Sequence, residues 1–332
     1  MIRPWYSTFR MSAHSRAKTT STPSKPSDSL MSLRHREPAT LSAIPKCAMS
    51  GNETTIHIYV LADGAAYPLR LAALLREAGI EFRNVYAGLP EEEAGDASLF
   101  LAQVADANAP WLAELDAMDL RAPCLTLIWS RADIDPLARH LRQFLIADIG
   151  DGMTALVRYY DPRNLLLAME VWGDEISDKL MDPIEQWKYR GHSESWERID
   201  GPANGGTTQT VPLSIQLTQE QLDRLVEHCE PDQLLAALVE NGTVMPDGPY
   251  LPRFSDFLHR YQKAAAWGLT EPADRLRFCE LSYKYGSAFD EHDSVRIALE
   301  ERMHRGSSMA ACEEGIYPAT WEQLLAKAKR SK

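Results

Sequence analysis

An α/β lobe with a mixed sheet, of the α+β kind, followed by a small all-helical lobe is the fold predicted by this sequence of 332 residues. Three observations predict it. From Thr54 to about residue 200, β-branched runs alternate with amphipathic helical stretches, the signature of an α/β layer. A Gly-, Asn-, Thr- and Pro-rich stretch then interrupts the pattern over 201–212 and reads as a linker. Beyond it the start and stop signals are almost all helical. The predicted organisation is a leader over 1–50, an α/β domain over 51–200, the linker, and a helical lobe over 213–332, in line with the length prior of about two domains.

The leader is rich in Ser, Thr, Pro and Arg, lacks periodicity, and holds too little apolar area to offset chain entropy, so disorder is expected. It has no continuous apolar stretch of the secretory kind, and its acid-poor, Arg-rich start resembles a mitochondrial transit peptide only superficially. A translation start at Met31 or, better, Met49 accounts for it more simply.

Ordered patterning begins with TTIHIYVLAD, in which Ile56, Ile58 and Val60 alternate with Thr55, His57 and Tyr59 as in a strand. After the Asp63-Gly64 turn and the helix-starting Pro68, LRLAALLREAG places Leu71, Leu74, Leu75 and Ala78 on one helical face and stops at Gly79. Phe82–Leu89 reads as a second strand, Pro123–Trp129 as a buried one, and Asp135–Leu145 as a helix. Met153–Pro162 reads as a strand ended by proline, then comes the short helix NLLLAME, and WKYR reads as a last edge strand. In the helical lobe, Thr218 with Gln221 and Thr320 with Gln323 are written as capping boxes. Between them helices are expected over Pro231–Glu240, Ser255–Trp267, Pro272–Tyr285 and Phe289–His304, stopping at Gly242, Gly268, Gly286 and Gly306.

Charge narrows the partners. The net charge is −12, yet residues 1–48 hold eight Lys/Arg against Asp28 and Glu37, a local +6, which leaves −18 on the rest. So acidic a body repels phosphate backbones and argues against nucleic acid. No apolar run approaches the roughly 20 residues that span a bilayer, so no membrane role is expected. The five cysteines, at 47, 124, 229, 279 and 312, include no close pair and so no zinc or redox motif.

Motif-borne catalysis is absent: there is no nucleophile elbow, phosphate loop, dinucleotide fingerprint or metalloprotease helix. Asp63 and Asp161 each follow a strand, where α/β enzymes keep carboxylates, so an acid–base pair is the enzymatic alternative. The simpler reading makes Asp63 the organiser of its turn and Asp161-Pro162 a helix cap. Asp133 and Asp135 read as the acidic first turn of a helix rather than cation ligands, and His140 as part of a polar helix face. Ser130 has no partnered base in view. No catalytic residue, metal or cofactor is expected.

The α/β half resembles, segment by segment and in order over about 56–198, the type VI secretion adaptor chaperones, the family called domain of unknown function 4123. The matching stretches are IYVLADGAAYP, VYAGLPEEE, APWLAEL, PCLTLIWS, LARHLRQFL and DGMTALVRYYDPRNL. RYYDPR is the most diagnostic, a strand entering an Asp-Pro-Arg corner carried by Arg158, Tyr160, Asp161, Pro162 and Arg163. MDPIEQWKYR resembles a later family segment, with Asp182 where glycine is usual. The resemblance implies a cytoplasmic bacterial protein that binds a cognate effector, a toxin, and loads it onto the spike protein of the secretion machine without catalysis. On this reading Asp63, Gly64, Arg158, Tyr160, Asp161 and Arg163 form a polar scaffold, with an Arg fork on a carboxylate. A groove between the lobes suits a partner segment, and Tyr250, Phe254, Phe257, Tyr261 and Trp267 are candidate partner-binding residues. Phe254, Phe257 and Tyr261 also share one helical face, as a core stripe would. A hydrolase using Asp63 or Asp161, or a structural component of the secretion apparatus, are the alternatives.

Overall fold

The computed structural model describes residues 55–193, 195–202 and 213–330. The leader over 1–50, with the two candidate start sites, and most of the 201–212 linker lie outside the described residues.

The first half builds a sheet of six strands in the order β2-β3-β1-β4-β7-β8. These are β1 His57–Asp63, β2 Phe82–Asn84, β3 Leu99–Gln103, β4 Leu125–Ser130, β7 Ile184–Tyr189 and β8 Glu197–Asp200. Every pairing in it is antiparallel. Among the described residues parallel pairing is confined to a second sheet, β6-β5-β9, in which β5 (Ile146–Gly150) pairs antiparallel with β6 (Met153–Leu156) and parallel with β9 (Ile215–Gln216).

Both faces of the large sheet are covered. Along β1, Tyr59 and Leu61 enter one core while Val60 and Ala62 enter the other, and all four are fully buried. Polar-looking Tyr59 is therefore interior, its hydroxyl donating to Ala132 O at 2.8 Å, so β1 is not half-solvated as its alternation predicts. Helices α1 (Leu71–Glu77) and α2 (Pro110–Arg121) close one face through Leu71, Leu75, Leu112 and Leu115. Helices α3 (Ile134–Arg142), α4 (Leu165–Trp172) and α5 (Asp174–Met181) close the other, with Trp187 of β7 fully buried among them.

Several elements differ from the sequence reading. The 82–89 strand ends at Asn84, whose side chain accepts from Tyr86 N at 2.9 Å and turns the chain. The 153–162 strand ends at Leu156, so the RYYDPR run is a corner rather than a strand end. All of WKYR but Arg190 lies in β7, which has a strand on each side, and the edge belongs to β8. Asp182 takes φ −49° and ψ −48°, ordinary helical values, so no glycine is required there.

The second half consists of α6 (Gln219–Glu240), α7 (Tyr250–Ala266), α8 (Pro272–Tyr285), α9 (Asp293–Arg305), α10 (Met309–Glu314) and α11 (Pro318–Arg330). Thr218 and Gln221 form the expected capping box. Pro231 starts no new helix but lies within α6, next to the partly exposed turn that ends at Glu230. There its missing N–H costs one backbone bond, and packing on both sides keeps the helix running. Thr320 is not a cap either, because Pro318 at the first position starts α11 two residues earlier and Thr320 is buried.

Candidate functional site

The motif residues meet where the two halves touch. Asp63 closes β1, and its Oδ1 accepts from Ala65 N at 3.0 Å, which fixes the turn that follows. Gly64 enters that turn against the neighbouring loop, donating its N–H to Ser98 O at 2.9 Å. A Cβ there would lie 2.6 Å from both Asp96 O and Ser98 O, so Gly64→Ala is expected to cost about 1–3 kcal/mol, read by chemical denaturation. An alanine variant as stable as the parent would show that the loop gives way freely.

Asp63 Oδ2 accepts from Arg158 Nη2 at 2.6 Å, and Arg158 also lies 3.8 Å from Asp161. Its guanidinium lies over the Tyr160 ring at 5.8 Å, and the Tyr160 hydroxyl pairs with that of Tyr86 at 2.6 Å. At the corner itself, Asp161 Oδ1 accepts from Arg163 N at 3.0 Å while Arg163 grips the same carboxylate with Nε at 2.8 Å and Nη2 at 2.6 Å. The expected Arg fork is therefore that of Arg163, and its carboxylate is the motif's own.

One guanidinium nitrogen of Arg163 does not face Asp161, and it leaves the α/β half. Nη1 reaches Asp232 Oδ1 of α6 at 2.9 Å. Asp232 also accepts from the Tyr250 hydroxyl and lies 3.1 Å from His192 Nε2. His192 stacks on Phe254 at 4.5 Å, and Phe254 on Tyr250 at 5.3 Å. Alongside, His228 Nε2 lies 3.0 Å from Arg163 O, Arg224 pairs with Glu170 at 2.7 Å, and Gln221 Nε2 donates to Val171 O at 2.6 Å. The first half of α6 is thus laid along α4 and the corner, and Asp232, just past Pro231, bolts it to Arg163.

Electrostatics fixes the charge states. Burial pushes the Asp161 carboxyl up, but the charge and donors of Arg163, helped by Arg158, hold it below the ordinary range. For Asp232 burial again raises, and Arg163, His192 and Tyr250 outweigh it, bringing the group from 3.8 down to about 2. A depressed carboxylate contributes stability that is complete above its unfolded value and is lost as pH falls from about 4 to about 2. The contribution is about 2 kcal/mol, so the parent's stability advantage over Asp232→Asn should shrink across that window. Equal acid losses in both proteins would show that Asp232 contributes nothing to acid stability.

Both oxygens of Asp63 and of Asp161 are engaged as acceptors, and both residues are buried. The Cys229 thiol beside them donates to Asn164 Oδ1 at 3.4 Å and is pushed up to about 11 by burial, so it stays protonated. Ser130 is fully buried, its hydroxyl donating to Pro183 O. Asp135 pairs with Arg83 at 2.6 Å. His140 does not line a polar face: it is half-buried against Phe144, with Nε2 2.9 Å from Leu180 O. The described residues contain no group of His, Cys, Asp and Glu side chains suited to a metal.

Of the candidate partner-binding residues, Tyr250, Phe254 and Phe257 are buried, the last completely. Tyr261 and Trp267 are half-buried, their polar atoms bonded to Glu230 at 3.1 Å and Asp290 at 2.9 Å. Tyr250 and Phe254 belong to the junction, while Trp267 packs on the outer helices.

Sequence reasoning missed Asp232, His192 and a second buried pair, Asp119 with Arg190. Arg190 donates to Asp119 Oδ2 through Nε at 3.0 Å and Nη2 at 2.7 Å, and also reaches Asp116 at 2.7 Å. Asp119 Oδ1 accepts from Cys124 N and Leu125 N, anchoring the start of β4. The signal was present: Asp232 shares a helical stripe with Leu235 and Leu238, and Asp119 with Leu112 and Leu115. A carboxylate on an apolar stripe needs a buried cation.

Residues 58–178 match the model of the family described as domain of unknown function DUF4123. No curated protein and no solved structure matches significantly. The matched segment holds β1 through most of α5, and with them Asp63, Arg158, Asp161 and Arg163. Asp232, His192 and Tyr250, which take up the outward side of Arg163, lie beyond it. No described helix is long and apolar enough to cross a membrane.

Proposed function

We propose that this protein is a non-catalytic, cytoplasmic bacterial adaptor that binds a cognate toxic effector and loads it onto the spike protein of a type VI secretion machine. The observation that carries this reading is the DUF4123 match over 58–178, the same region whose ordered segments resemble the adaptor chaperones. The geometry is compatible with a holding role. The motif's charged residues are spent on one another and on Asp232, which fixes the helical lobe to the matched segment and leaves neither Asp63 nor Asp161 poised as a base.

On this reading effector choice resides in the helical lobe, outside the matched segment, and the motif corner keeps that lobe in place. Deleting the gene should abolish export of one effector while the spike protein is still secreted. Restoring the full chain should rescue export, and so should Asp63→Asn if the protein remains folded. Continued effector export from the deletion strain would refute the reading. Rescue by the parent but not by a folded, partner-binding Asp63→Asn protein would favour the hydrolase alternative.

A further inference from the structure

Among the described residues the two sheets end in four edges, and three are protected. Edge strand β2 has three residues and carries Arg83, ion-paired with Asp135 and Glu81. Edge strand β8 carries Glu197, Arg198 and Asp200. Strand β9 has two residues. Short length and charge are the devices by which sheets refuse further strands.

Strand β6, Met153-Thr154-Ala155-Leu156, has no charge and no proline. Its register opposite β5 is Ile146 with Leu156, Ala147 with Ala155 and Asp148 with Thr154. Val157 N donates to Leu145 O, which makes 145 with 157, and hence 147 with 155, the hydrogen-bonded pairs. Thr154 and Leu156 therefore direct their N–H and C=O groups away from β5. No described residue bonds to those groups, Thr154 is exposed, and Met153 is 55% exposed. The hairpin tip holds the strand out: Gly150, Asp151 and Gly152 all have positive φ, at 89°, 53° and 71°.

We infer that β6 is a strand-addition site for an extended segment of another protein, uncharged along the strand and with a basic residue at the end that meets the hairpin tip. Backbone pairing supplies the bonds, and the open groups of Thr154 and Leu156 set the register. A basic end follows from the tip, where Asp148 caps its own turn by accepting from Gly150 N at 2.8 Å and Asp151 is exposed, while Arg158 follows the opposite end of the strand. Lysine at both ends of a probe presents one to the tip in either strand direction. A second copy is disfavoured as the occupant, since each chain carries −12. The inference rests on the adaptor reading only for who the partner is, because strand pairing is measured without it.

The probe is a capped heptapeptide of alternating threonine and valine with lysine at both ends, added to the full chain while amide exchange is followed by NMR. Exchange at Thr154 and Leu156 is expected to slow at least tenfold at saturation, and a peptide ending in glutamates to bind at least fivefold more weakly. Thr154→Pro removes one outward N–H and none that faces β5, and should abolish the protection of Leu156 at unchanged thermal midpoint. Should that variant be less stable, Thr154→Lys leaves the backbone intact and must weaken the lysine-ended peptide. No slowing at millimolar peptide overturns the inference. So does equal binding of the glutamate-ended peptide, or protection that grows with protein concentration alone, which would make a second copy the occupant. Effector export that fails to depend on this gene would refute the adaptor reading and leave the peptide result standing.

Discussion

Arg163→Ala is expected to destabilise the protein by about 3–5 kcal/mol, the cost of leaving buried carboxylates without their cation. Asp161 is 3% exposed and the Asp232 side chain 10%, and both contact this one guanidinium. Without it the two carboxylates share a desolvated space with Arg158, 3.8 Å from Asp161, and the His192 and Tyr250 contacts of Asp232 to offset them. The loss is a large part of a typical domain's stability, so heat or denaturant should reveal it at once. Adding Asp232→Asn should return at least about 1 kcal/mol, since it removes one stranded charge, and the double-mutant cycle measures that coupling. A loss under about 1 kcal/mol with no coupling would mean that the junction is not held by this ion pair.

A comparable loss, about 3–5 kcal/mol, is expected for Arg190→Ala. Here the stranded group is Asp119, 3% exposed, with Asp116 beside it. Arg190 also lies 4.5 Å from the centre of the Trp196 ring, so the variant loses a cation–π contact and packing together with the ion pair. Because Asp119 tethers Cys124 N and Leu125 N, the damage should spread into β4 and appear as faster amide exchange at Thr126 and Leu127. If stability falls while β4 amides keep their protection, the tether is independent of Arg190.

Much of the fold was legible in the sequence because it was written locally. Gly79, Gly268, Gly286 and Gly306 stop helices at positive φ, and Thr218 with Gln221 starts one. Non-local features were less legible. Strands β3 and β8 have no strong start signals of their own, and pairing partners hold them in place. Pro231 was read as a boundary because local sterics make it one, yet packing on either side overrides that cost.

The site divides in the same way. Asp63, Asp161 and Arg163 were legible from their motif, and their turns are local events within two residues. That Arg163 spans from Asp161 to Asp232, 69 residues away, depends on how α6 docks on α4, which no short-range pattern encodes. The aromatic run in α7 was legible as a cluster. Its burial follows from the three-dimensional arrangement, in which Tyr250 and Phe254 meet His192 from the other half.

The proposed carriage of an effector to a spike can be checked by affinity capture of the tagged full chain from its own bacterium, with mass spectrometry of what co-elutes. A spike protein together with one toxin-like protein should be recovered, both lost with Arg163→Ala at a temperature where the helical lobe detaches. Elution alone, or with sheath and baseplate components in fixed ratio regardless of any effector, would contradict it.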